Sequence, residues 1–199
     1  MNKKTDSLKK LAVCSMMVAL SFVLSLWTPL QFWPQGGSVT LGSMVPVILV
    51  SLLLGVKWGL GCAFVNALLQ LMMGLMGGMG SWGLSPMVLV CSILLDYLLA
   101  YTVIGLAGAW KGNDTFRAIA GTLSVCILRY LCHFLSGWAF FGMWAEEGYT
   151  ALTWALFYNV TYMLPETVIS VALAGGLSPL FSVLRRNFSF CRSAEAVEK

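Results

Sequence analysis

Apolar residues fill six long blocks of this chain, separated by short clusters of glycine, proline and polar residues. The blocks fall at roughly 8–27, 41–54, 60–76, 86–109, 118–142 and 152–184, and each is read as a helix. About 20 apolar residues in helical form cross a bilayer, so five blocks are long enough and 41–54 is short. Pro29 and Pro34 end the first block, and Gln35-Gly36-Gly37-Ser38 reads as an uncharged loop. Gly55-Val56-Lys57-Trp58-Gly59 reads as a turn, and the glycine-rich run from Gly74 to Gly83 as a flexible loop. Pro165 falls inside the last block and predicts a kink there. The polar tail 185–199 predicts a mobile end.

Composition supports this pattern. The chain has 199 residues, of which 59% are hydrophobic and 10% charged, with a mean hydropathy of +0.84. A soluble domain is about a quarter charged, which excludes that class. The expectation is an all-α integral membrane protein, one membrane domain built as a six-helix transmembrane bundle. Lys3, Lys4, Lys9 and Lys10 before the first block resemble a secretory signal, but the apolar run is too long and lacks a small-residue cleavage site. It is read as a retained first helix. The six cysteines show neither CxxC nor metal-ligand spacing, so no disulfide and no metal are expected. No internal repeat is visible.

Charge then sets the orientation. Six helices put both termini on one side, and all 12 Lys and Arg except Arg129 fall on that side of the topology. The opposite loops carry Glu146 and Glu147 and no basic residue. By the positive-inside rule both termini are cytoplasmic. The net charge of +4 therefore argues for membrane topology and not for a nucleic-acid partner.

Four ionisable residues lie well inside the blocks: Asp96, Arg129, His133 and Glu166. Charge within hydrocarbon is costly and by default marks a site or a buried pair. Arg129, His133, Gly137 and Phe141 recur every fourth residue, so they form one stripe on a helix. A purely structural reading pairs Arg129 with Glu166 or with Asp96. It leaves one carboxylate in excess, and Asp96 and His133 become the candidates for ligand contact. Aromatic residues crowd the same half: Trp82, Tyr97, Trp138, Phe141, Trp144, Tyr149, Trp154, Tyr158 and Tyr162. The interfacial aromatic belt accounts for Trp27, Trp33, Trp144 and Tyr149. It accounts less well for Tyr97 and Phe141, which share helices and depth with Asp96 and His133. A carboxylate beside aromatic faces suits an aromatic cation. Asn159 offers a donor and an acceptor, which suits an aminopyrimidine edge, or an interhelical hydrogen bond. Ser15 and Ala19 form a small-xxx-small pair on the first helix, a surface another helix can approach closely.

Absences limit the classes. There is no nucleotide-hydrolysing phosphate loop, no HExxH and no GxSxG. A small intramembrane enzyme using Asp96, Arg129 and His133 lacks any nucleophile–base or metal spacing, so no catalytic residue is assigned and no enzyme is expected. A structural subunit whose polar layer only locks helices is the third class.

Several pieces, in order, resemble the thiamine-specific substrate-binding subunit of energy-coupling factor (ECF) transporters. They are Pro34-Gln-Gly-Gly-Ser-Val, Gly42-Ser-Met-Val-Pro46, Leu95-Asp-Tyr97 with Val103-Ile-Gly-Leu-Ala-Gly108, Arg129-Tyr-x-x-His133-x-x-x-Gly137-x-x-Phe-Phe-Gly142, and Tyr158-Asn159-x-x-Tyr162-x-x-Pro165. The resemblance covers nearly the whole chain. It implies a six-helix bundle in the cell membrane that binds thiamine near the outer face, needs no cofactor, and works with a transmembrane coupling protein and two cytoplasmic ATPases. It puts the acidic ligand on Asp96, followed by Tyr97, where some members carry glutamate. It puts the histidine on His133, the close-approach glycine on Gly137 and the asparagine on Asn159, beside Tyr158. Phe141 stands where the family has a stacking tryptophan and Trp154 where it has a tyrosine. The coupling motif of two alanines falls on Ser15 and Ala19. The implied roles are Asp96 facing the thiazolium, His133 and Phe141 stacking, and Asn159 holding the pyrimidine. A related vitamin or precursor is the alternative ligand.

Overall fold

The computed structural model describes residues 3–33, 36–188 and 191. Helix α1 (Lys3–Leu26) is followed by a hairpin of β1 (Leu30–Trp33) and β2 (Gly36–Val39), then α2 (Val45–Leu54), α3 (Val56–Met76), α4 (Pro86–Ala109), α5 (Asp114–Phe140), α6 (Ala151–Leu177) and α7 (Leu180–Asn187). Six apolar helices thus appear in the expected order. Five of them, α1 and α3 to α6, are long and apolar enough to cross a membrane. Polar caps set their starts. Asn113 accepts the Phe116 N–H at 2.8 Å, and Thr150 and Thr153 form a reciprocal capping box.

The differences from the expected pattern have local causes. Residues 41–44 turn instead of lengthening α2, with Gly42 at φ +79°. Helix α2 therefore has 10 residues, about 15 Å of rise, half a bilayer core. Val47 and Ile48 are fully buried, so its apolar surface faces protein and not lipid. Only Gly55, at φ +91°, interrupts the chain between α2 and α3, and the expected five-residue turn is mostly helix. The expected loop at 35–38 is instead the second strand of the hairpin, paired Leu30 to Val39 and Gln31 to Ser38; Gln35 lies outside the described residues. The glycine-rich run is anchored, not slack. Helix α3 continues to Met76, a short turn follows at Met79–Ser81, and Met79 is buried at 1% exposure. Pro165 lies within an unbroken α6, and the break comes later, at Ser178 and Pro179. Residues 185–187 of the expected tail belong to α7, and most of the remainder lies outside the described residues.

The two ends of the bundle are built differently. At one end, small residues let helices touch backbone to backbone. Ser51 donates to the Gly105 carbonyl at 2.5 Å and accepts the Gly108 N–H at 2.9 Å. A Cβ on Gly121 would lie 2.1 Å from the Ala107 carbonyl oxygen. The starts of α1, α3 and α5, with their Lys and Arg residues, are at this closed end. At the other end the hairpin stands over the helices. Glu166 of α6 holds its base, accepting the Thr40 N–H and the Thr40 hydroxyl at 2.6 Å each. Trp33 donates from its indole to Thr161 at 2.9 Å. Gly37, at φ +75°, lies against Tyr162, where a Cβ would come within 2.7 Å of the ring.

Three stability outcomes follow. Gly121→Ala forces α4 and α5 apart and is expected to destabilise by about 1–3 kcal/mol, read as a lower thermal midpoint in detergent. Gly61→Ala, whose Cβ meets nothing within 4 Å, is expected to leave the midpoint unchanged or slightly raised. Thr40→Val keeps the backbone N–H but removes one donor from a buried carboxylate, with an expected loss of about 1–3 kcal/mol in the same assay.

Candidate substrate-binding site

A cavity of about 240 Å³ opens beneath the hairpin, between α3, α4, α5 and α6. A single water needs about 10–15 Å³, so this space fits an organic molecule. All eight sequence-derived binding candidates line it: Asp96, Tyr97, His133, Gly137, Phe141, Trp154, Tyr158 and Asn159. The whole stripe Arg129, His133, Gly137 and Phe141 faces it too.

The acidic pole is formed by α4 and α5. Between Ile93 and Leu99 helix α4 widens to i→i+5 hydrogen bonding, and Asp96 sits in this stretch. Such wide turns recur at functional sites because they re-aim side chains. Asp96 Oδ1 is 2.9 Å from His133 Nδ1, and Asp96 Oδ2 accepts the Ser136 hydroxyl. His133 and Ser136 are three residues apart on one face of α5, so both carboxylate oxygens are held from a single helix. An ionised carboxylate accepts only, so this contact calls for the proton on His133 Nδ1. His133 Nε2 is buried and has no partner among the described residues. Tyr97 packs its hydroxyl end onto Gly74 of α3.

Aromatic rings form two walls. Phe141 stacks on Trp144 at 5.2 Å and 17°, and Trp82 meets both edge-on. On the other side Trp154 meets Trp33 edge-on at 5.2 Å and lies 6.0 Å from Tyr158, which is edge-on to Tyr162. Trp33 and Trp144, read from sequence as interfacial-belt residues, also serve the site: Trp144 lines the cavity and Trp33 packs edge-on to Trp154. Trp27 is 61% exposed and lies outside the cavity lining.

Asn159 is already engaged. Its amide N–H groups point to the Ala155 carbonyl at 2.8 Å and the His133 carbonyl at 3.4 Å, and its oxygen accepts from Tyr162 at 2.5 Å. One lone pair of that oxygen remains, so the donor–acceptor pair anticipated for a ligand is reduced here to an acceptor. Gly137 allows this closeness, since a Cβ there would come within 3.3 Å of Asn159.

At the deep pole the expected Arg129–Glu166 ion pair is not formed. Neither residue makes a salt bridge within 4.0 Å among the described residues. Glu166 is committed to Thr40, and Arg129 lies over the Tyr101 ring at 4.3 Å and reaches the Met44 sulfur at 2.7 Å. Its Nε is buried without a partner. Arg129 does not bond Asp96 either; the Asp96 oxygens go to α5 as described. The polar layer thus contains two carboxylates and one guanidinium held by neutral donors and a ring. Sequence reading missed Tyr101, Thr40 and Ser136. Tyr101 stands four residues after Tyr97 and Ser136 three after His133, so helical spacing from the chosen candidates leads to both. Nothing local marks Thr40.

Ser15 and Ala19 lie on the exposed face of α1, away from the cavity. The Ser15 hydroxyl turns back to the Leu11 carbonyl at 3.0 Å, which leaves a low, apolar surface there.

Comparisons with known proteins agree with this architecture. The family model described as thiamine transporter protein matches residues 11–183. The thiamine transporter ThiT of Bacillus subtilis is 30% identical over 179 residues, covering 83% of this chain and 88% of that protein. The thiamine transporter ThiT of Lacticaseibacillus paracasei is 26% identical over 166 residues, covering 76% and 80%. The solved structure of ThiT from Listeria monocytogenes superposes with a TM-score of 0.69 over 94% of this chain and 99% of that one, at 21% identity, which establishes the shared fold. With its membrane-crossing helices and a family match spanning most of its length, this chain is a multi-pass cell-membrane protein that belongs to the thiamine transporter protein family.

Proposed function

We propose that this chain is the substrate-binding subunit of a thiamine uptake transporter, with thiamine held in the cavity beneath the hairpin. One observation carries the reading: the cavity is short of positive charge and walled with rings. Two carboxyl groups, Asp96 and Glu166, and one guanidinium, Arg129, line the same space. Neither carboxyl is ion-paired with Arg129 among the described residues, so a carboxylate here sits among neutral partners in a low-dielectric interior, where an incoming cation matters most. Thiamine has a fixed thiazolium charge and two flat rings. Asp96 answers the charge. Phe141, Trp154, Tyr158 and the His133 ring offer faces for cation–π and stacking contact, with Tyr97 and Gly137 shaping the walls. The free Asn159 lone pair suits the amino group of the pyrimidine.

The orientation follows from charge. The Lys and Arg residues gather at the glycine-packed end, so that end and both termini face the cytoplasm and the cavity opens outward. Transport needs an energy source, and the chain has no nucleotide-binding loop. A coupling membrane protein and a pair of cytoplasmic ATPases fill that role, and the Ser15–Ala19 face of α1 is the docking surface for the coupling protein.

Two measurements test the assignment. Mass spectrometry of small molecules retained by the detergent-purified protein is expected to find thiamine. A neutral precursor found in its place would transfer the reading to a related ligand. Asp96→Asn is expected to weaken thiamine binding by ten- to a hundred-fold, about 1.5–3 kcal/mol for a hydrogen bond or contact to a charged group. Unchanged affinity in equilibrium binding rules out the charge role.

A further inference from the structure

We infer that Ser136 is a positioning residue for ligand recognition: its hydroxyl fixes the Asp96 carboxylate so that His133 keeps its proton on Nδ1 and leaves Nε2 bare. The inference rests on the reading of this cavity as the thiamine site.

Serine and threonine inside helices donate across to a neighbouring element, as Ser21 and Ser51 do, or back to the carbonyl one turn earlier. Ser15 does so to Leu11, Ser124 to Ala120 and Thr167 to Met163. Ser136 is fully buried, sits on the same helix as Ser124, and instead donates across to Asp96 Oδ2 on α4.

The consequences follow from donor counting. Asp96 has two oxygens and two protein donors, one on each. Without Ser136, Oδ2 has no donor among the described residues, and the carboxylate is free to rotate about its last torsion toward the cavity. His133 Nδ1 then loses a fixed acceptor, and with it the reason for its proton to stay there. With Ser136 in place the neutral ring has its proton on Nδ1 and an acceptor at Nε2. That atom is buried, unpartnered, and belongs to a residue that lines the cavity. The ligand then meets a carboxylate held in one place beside a ring of fixed tautomer. Ser136 itself is not among the cavity-lining residues, so it acts through Asp96 and His133.

The chain has a single histidine, so its ring nitrogens can be read without overlap. The test is nitrogen-15 NMR of histidine-labelled protein in detergent, with equilibrium thiamine binding on the same samples. For the unaltered protein a protonated Nδ1 and a bare Nε2 are expected. Ser136→Ala is expected to shift the ring toward the other tautomer and to weaken thiamine binding by about ten-fold. Ser136→Thr, which keeps the hydroxyl, is expected to restore both. If Ser136→Ala leaves the ring signals unchanged, the inference is overturned whatever happens to affinity. A shifted ring with affinity held within two-fold overturns it as well. If the unaltered protein binds no thiamine, the functional reading falls, and the ring signals alone still decide whether Ser136 positions His133.

Discussion

A charged group buried in an apolar bundle must be given partners, and in this protein most of those partners are uncharged. Asp96 is held by an imidazole and a hydroxyl, Glu166 by a backbone N–H and a hydroxyl, and Arg129 by a sulfur and an aromatic face. Direct pairing of Arg129 with Glu166 would have cancelled two charges and closed the space between α5 and α6. Hydrogen bonding each charge separately keeps the charges apart and the space open. The charged groups around the cavity are thus partnered by neutral atoms rather than by one another.

The same choice ties the cavity to its cover. Glu166 is mid-helix in α6, yet its partner is Thr40 at the base of the hairpin. The segment that shields the mouth is therefore anchored on the layer that forms the floor. At the other end, Gly59, Gly105, Gly108 and Gly121 bring α2 to α5 into backbone contact, which leaves no room for a passage. A closed, basic end and a hollow, ring-lined end give the bundle a direction.

How much of this could be read from the chain varies with the kind of signal. The helices were legible because apolar blocks of bilayer length have few alternative folds. The stripe from Arg129 to Phe141 was legible because helical spacing alone puts those residues on one face. The hairpin was not. Its strands have four residues each, and Gly36 and Gly37 carry no hydrophobic alternation, so nothing separates them from a loop. The Arg129–Glu166 pair was misread because opposite charges on neighbouring helices suggest each other, while Thr40, more than a hundred residues away in sequence, gives no sign of its role. The part Trp33 and Trp144 play at the site was not legible, because composition gives approximate depth and does not say which way a ring turns.

The wide turn in α4 brings these points together. A regular helix through Ile93–Leu99 would rotate every later residue relative to Asp96. With the wider turn, Asp96 meets His133 and Ser136 on α5, while Tyr101, further along α4, still faces Arg129. Both poles of the cavity are therefore contacted by one helix. At one pole α4 supplies the negative charge and α5 the donors. At the other, α5 supplies the positive charge and α4 the ring that faces it. The register of α4 against α5 thus sets the spacing between the two poles, and that spacing sets the length of molecule the site can accept.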